Sequence, residues 1–203
     1  IDELSLSIHG PEESVHESCT RRGGSFAALL ETARLAEEIK PGITLMANMV
    51  VTKINFDHVI PTVRLCASIG VKQMLVSFPS PEGRALDSYK DIVVPLRRWK
   101  GAIDAVAEAA AAEGISIRFF GFPACVLGKW KMKSNDLYFD PRVTVERAVV
   151  KGGGIGMSTI ITRNPRRGRR KVPACGGCEL RDLCGGVFSH YVKTFNAGEI
   201  ASI

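Results

Sequence analysis

Residues 43–51 read ITLMANMVV, residues 72–78 read KQMLVSF and residues 116–120 read SIRFF. Each is a short, apolar, β-rich run bounded by Pro, Gly or charged residues, the pattern of a strand. Between them the apolar residues recur at helical spacing. One such stretch runs from Asp57 to Gly70 with Pro61 confined to its first turn, and an alanine-rich one covers 96–113. Upstream, LSLSI at 4–8 reads as another strand. A glycine-rich loop then leads to Ser25, a predicted N-cap for FAALLETARLAEEIK, whose Phe26, Leu29, Leu30, Ala33 and Ala36 share one face. Lys40-Pro41-Gly42 stops that helix, and PSPEGRA at 79–85 breaks the pattern after the third strand. Strand, helix, strand, helix in this order predicts an α/β fold with parallel strands joined by right-handed crossovers.

Beyond Gly121 the alternation fails. A basic aromatic patch (Lys129, Trp130, Lys131, Lys133) is followed by a short apolar stretch, the glycines 152–154, and a basic run from Arg163 to Lys171. A domain boundary is therefore expected near 121–130. The chain has 203 residues, 45% of them apolar, which is enough for a substantial core and excludes a disordered chain. No apolar run approaches the length of a membrane span. Lys and Arg exceed Asp and Glu by 27 − 21 = 6, which favours acidic partners without the density of a nucleic-acid arm. Ile1 opens the chain with no Met and no signal-peptide pattern, so a cytoplasmic protein, and a piece of a longer one, is expected.

The six cysteines stand at 19, 66, 125, 175, 178 and 184. This is not the dense spacing of a secreted disulfide scaffold. Cys175, Cys178 and Cys184 lie within VPACGGCELRDLCGG, where C-x2-C places two sulfurs on one tight turn. Zinc and iron-sulfur sites both accept that spacing, and both normally take a fourth ligand. Cys125, in FGFPACVLG, is the candidate. Cys66 sits on the apolar side of a predicted helix and reads as core; Cys19, in a polar loop, stays open between the two roles.

In parallel α/β folds the chemistry collects at the carboxyl ends of the strands. Those ends carry Ser7 and His9, then Asn48, Thr52 and Asn55, then Ser77 and its Pro-rich turn. Polar residues at that edge can bind a ligand, but for any single one of them ordinary loop polarity and helix capping are the favoured account.

Taken together, these strings resemble the second half of a radical S-adenosylmethionine enzyme. SLSIHGPEESVHESCTRRGGSF resembles the family's fourth strand and following loop, MANMVVTKINFDHV its fifth strand, and LVSFPSPEGRA its sixth strand and exit. CGGCELRDLCGGVFSHYVKTFNAGEI is similar to the endings of SPASM and twitch auxiliary-cluster extensions, and FPACVLG resembles the segment that supplies an upstream auxiliary cysteine. The resemblance implies the C-terminal half of a partial (β/α)6 barrel at 1–121, followed by a small cysteine-rich extension at 122–203.

It further implies that Ser7 contacts S-adenosylmethionine, that Arg21 or Arg22 meets its carboxylate, that Asn48 lies near its amino-acid or ribose part, and that the main chain around Ser77 meets adenine. Cys125, Cys175, Cys178 and Cys184 would hold an auxiliary 4Fe-4S cluster. In such enzymes one electron from a catalytic 4Fe-4S cluster cleaves S-adenosylmethionine to methionine and a 5′-deoxyadenosyl radical, which takes a hydrogen atom from a substrate. An electron donor such as flavodoxin or ferredoxin, and a peptide or small-molecule substrate, are implied partners, with a lean to peptide modification. The family's C-x3-C-x2-C segment is absent, so the catalytic cluster is expected on an upstream part and this polypeptide alone is expected to be inactive. A zinc-binding interaction module with a basic surface, or a catalytically silent relative, are the competing readings; low aromatic content argues against nucleic acid.

Overall fold

A computed structural model describes residues 2–137, the backbone of 143–151 and 154–162, and residues 168–196, 198 and 200. The glycine turn at 152–154 and the basic run at 163–171 fall largely outside them. Four strands, β1 (Glu3–Ser7), β2 (Thr44–Val50), β3 (Gln73–Ser77) and β4 (Ser116–Phe120), form one parallel sheet in the order β1-β2-β3-β4. Helices α1 (Glu13–Thr20) and α2 (Ser25–Ile39) join β1 to β2, and α3 (Val59–Ser68) joins β2 to β3. Short α4 (Arg84–Asp87) and α5 (Tyr89–Ile92) precede the long α6 (Leu96–Ala112), which leads to β4. The expected α/β fold with a parallel sheet is present.

Two local expectations change. The loop after β1 contains α1, so Cys19 is helical rather than in a loop; its thiol points to the His9 carbonyl at 3.8 Å. Ser25 is the first residue of α2, not its cap; Gly24 holds the capping position, and the Ser25 hydroxyl donates to the Arg22 carbonyl at 2.7 Å.

The sheet's two faces differ. Leu6, Leu45, Ala47, Met49, Met74, Val76, Ile117 and Phe119 are buried in one core with α3 and α6. The other face carries Ser5, Ser7, Gln73 and Ser116, all exposed, with Met46, Asn48, Leu75 and Arg118 half-buried between them. Right-handed crossovers between strands in sequential order put all connecting helices on the same face, which accounts for the asymmetry. On α6 the buried Leu96, Trp99, Ile103, Val106, Ala107 and Ala110 follow the helical repeat and form one stripe. Each large side chain in it contributes about 1.5–3 kcal/mol by leaving water.

After β4 come α7 (Ala124–Leu127), an antiparallel hairpin of β5 (Val143–Lys151) and β6 (Gly154–Thr162), a small pair β7 (Arg169–Arg170) and β8 (Val187–Phe188), and α8 (Ser189–Phe195). The tail shares the sheet's core: Val172, Val187, Phe188 and Tyr191 are buried in the same cluster as Phe78 and Leu96. Tyr191 is fully buried, and its hydroxyl accepts the Leu96 N–H at 2.8 Å. That bond satisfies a donor at the start of α6 that has no partner within the helix. The basic aromatic patch is partly neutralised against α6. Trp130 Nε1 donates to Asp104 at 2.7 Å, and Lys129 pairs with Glu108 at 3.1 Å. Among the described residues no helix is long and apolar enough to cross a membrane.

Candidate cysteine site and the polar edge of the sheet

Cys125 lies in α7, directly beyond the β4 exit, where Pro123 turns the chain into the helix. Cys175 ends a single 3-10 turn, Pro173–Cys175, and Cys178 and Cys184 follow on tight turns. The N–H of Cys178 donates to the Cys175 carbonyl at 3.4 Å, and that of Cys184 to Leu180 at 2.8 Å. These turns bring together thiols that lie as far apart in sequence as Cys125 and Cys184. All four cysteines line one small cavity, together with Lys171 and Arg181. Val187 and Ile200 complete an apolar wall that limits water.

The cavity's chemistry is that of crowded sulfurs. Burial pushes the Cys125 thiol up to about 11, and the neighbouring Cys184, Cys175 and Cys178 add to the rise against a local backbone hydrogen bond. Negative charge there is unfavourable unless a cation shares the cavity. Positive groups stand ready: the Lys171 ammonium donates to the carbonyls of Arg181 and Cys184, bracing the C-x5-C turn from inside. The Gly186 N–H points at Cys184 Sγ at 3.3 Å, a backbone donor to sulfur of the kind that tunes metal-bound thiolates. Among the described residues, no three His, Cys, Asp or Glu side chains are grouped closely enough to hold one metal ion as they stand.

Cys66 is fully buried in α3, and burial raises its thiol to about 12, so it is core. Burial also raises Cys19, which is not among the cavity's residues.

At the polar edge, Ser7 and Asn48 are register partners on adjacent strands. The Ser77 hydroxyl donates to Asn48 Oδ1 at 2.8 Å, so Asn48 links the sheet's open face to the β3 exit. Ser7 and Arg22 share an open cleft of about 360 Å³ with His16 and Ser25, at the start of α2. Arg21 is placed differently: it ends α1 in the left-handed region at φ 56°, its N–H bonded to Glu17 at 2.7 Å. Glu17 was not singled out from sequence, yet its carboxylate accepts the Phe26 N–H at 3.2 Å and faces the positive end of α2. His16, also missed, accepts the His9 N–H through Nδ1 at 3.2 Å. Burial lowers both histidines, with His16 further lowering His9, so both are neutral at pH 7. EESVHESCT carries no apolar stripe that would have announced this helix.

Comparison with protein-family models and with curated proteins gives no significant match.

Asn55 proves structural. Fully buried, it accepts the Thr52 N–H at 2.7 Å and donates through Nδ2 to the carbonyls of His9 at 3.0 Å and Val50 at 3.1 Å. One amide thus ties the exits of β1 and β2 together. Asn55→Ala removes these three bonds to backbone groups, and we expect a loss of about 3 kcal/mol in chemical denaturation. A change below the error of that measurement would show that water replaces the amide at no cost.

Proposed function

We propose that this chain is part of a radical S-adenosylmethionine enzyme, with residues 1–121 forming half of a partial barrel and residues 122–203 an auxiliary iron-sulfur extension. The observation that carries the reading is the convergence of Cys125, Cys175, Cys178 and Cys184 on one cavity. Four thiols lining one cavity match the ligand count of a 4Fe-4S cluster. The donor set fits such a cluster: four thiols, a backbone N–H aimed at sulfur, and two cationic side chains to offset charge.

The sheet supports the other half of the reading. Its strand order never reverses, unlike that of an open doubly wound sheet, which agrees with the arc of a barrel. When bound, S-adenosylmethionine supplies hydrogen abstraction and the auxiliary cluster one-electron transfer. Ser7, Arg22 and Asn48 would bind and orient the cofactor. Arg22 is the better candidate than Arg21 for its carboxylate because Arg22 lines the Ser7 cleft, and a guanidinium can pair with both oxygens. Ser77 would hold Asn48 in place. Val187 and Ile200 would keep water from the cluster. A peptide or small-molecule substrate, a flavodoxin- or ferredoxin-type donor and a cytoplasmic setting complete the proposal.

Anaerobic reconstitution tests it. The chain is expected to take up iron and acid-labile sulfide in equal amounts; zinc without sulfide would overturn the reading. In binding titrations with S-adenosylmethionine, Arg22→Ala is expected to weaken affinity about tenfold, and more than Arg21→Ala does. The reverse order would move the contact to Arg21.

A further inference from the structure

Arg169 and Asp136 form an ion pair almost closed to solvent. Their side chains are 6% and 16% exposed, with Nη2 and Oδ1 at 3.0 Å. Each partner is also tied to one side of the cysteine cavity. The second oxygen of Asp136 accepts the Gly121 N–H at 2.6 Å, four residues before Cys125. Arg169 donates to the Gly186 carbonyl at 3.4 Å, two residues after Cys184, and its guanidinium lies over the Phe188 ring at 4.3 Å. Gly186 sits at φ +85°, and a Cβ there would stand 2.2 Å from the Arg170 carbonyl oxygen, so only glycine fits this close against β7.

A buried ion pair is a poor source of net stability, because desolvating both charges offsets most of their attraction. Its value lies in geometry, since a guanidinium and a carboxylate with these additional partners are satisfied in only one arrangement. We infer that the Arg169–Asp136 pair is a latch that registers the Cys125 arm against the arm carrying Cys175, Cys178 and Cys184, and so sets whether all four sulfurs can grip one group. The inference rests on the reading that the four thiols form a single site. Arg169 and Asp136 are positioning residues; neither lines the cavity.

The test uses the metal-free chain and dibromobimane, a short reagent that bridges two neighbouring thiols, with bridged peptides identified by mass spectrometry. In the wild type, Cys125 is expected to be bridged to the later cysteines, and Cys175 to Cys178. Asp136→Asn and Arg169→Gln are expected to lower the Cys125 product about tenfold while leaving the Cys175–Cys178 product unchanged. General loosening would lower both products, and that result overturns the latch. So does an undiminished Cys125 product in a folded Asp136→Asn chain. Should that variant not fold, Arg169→Lys decides by the same measure, because it keeps the charge and loses the fork; full bridging there removes the proposal. Reconstitution of the same variants with iron and sulfide separates the two ideas. Bridging that responds in a chain that never takes up iron keeps the latch and removes the cluster. Iron uptake with unchanged bridging does the opposite.

Discussion

If the four thiols hold a cluster, Cys178→Ser and Cys184→Ser are expected to strip the reconstituted chain of almost all its iron and sulfide, whereas Cys125→Ser is expected to retain a substantial fraction. The difference follows from how each sulfur is held. Cys175, Cys178 and Cys184 sit on consecutive turns within ten residues, braced by the Cys184–Leu180 backbone bond and by Lys171 on two carbonyls. Losing one leaves three ligands of which one is distant in the chain, a set that is not held together locally. Losing Cys125 leaves the local trio intact with one metal position open. Serine keeps the size of the side chain and replaces a soft thiolate with a poor ligand, so folding should be little affected. Iron and sulfide analysis with electron paramagnetic resonance checks both the amount and the changed environment in Cys125→Ser. Equal iron in all four serine variants would exclude the cavity as the site.

The contrast also shows what could be read from sequence. The four strands were legible because each is a short apolar run between breakers, and their observed bounds differ from the expected ones by a residue or so. The C-x2-C-x5-C trio was legible because its ligands are local. Helix α1 was not, since only Val15 and His16 are buried along it and the rest is polar. Nor was the latch: Arg169 stands in a run of arginines that reads as a solvated surface, and Asp136 lies 33 residues away. A pair made by tertiary folding leaves no local period. Asn55 shows the bland reading winning: at a strand exit, where loop polarity is the favoured account, its amide is spent on backbone groups of this chain.

Phe78→Ala is expected to cost about 3–5 kcal/mol, among the largest losses available from one side chain here. Phe78 is 2% exposed at the exit of β3, and its ring meets three others, Phe122 at 5.3 Å, Tyr191 at 5.8 Å and Phe188 at 6.4 Å. Phe122 begins the Cys125 arm, while Phe188 and Tyr191 belong to the segment that follows Cys184. The cavity that truncation leaves therefore lies beneath both arms, and it should weaken the sheet and the cysteine site together. Urea unfolding followed by far-ultraviolet circular dichroism, and in parallel by thiol reactivity, should give coincident curves in the wild type, both moved to lower urea in Phe78→Ala. Coincidence would mean that residues 1–121 and 122–203, however distinct in chemistry, fold as one cooperative unit, because Val172, Val187, Phe188 and Tyr191 of the extension are buried in the sheet's core. If thiol exposure alone shifts, the boundary read near 121–130 divides stability as well as sequence pattern, and the extension can open while the sheet stays folded.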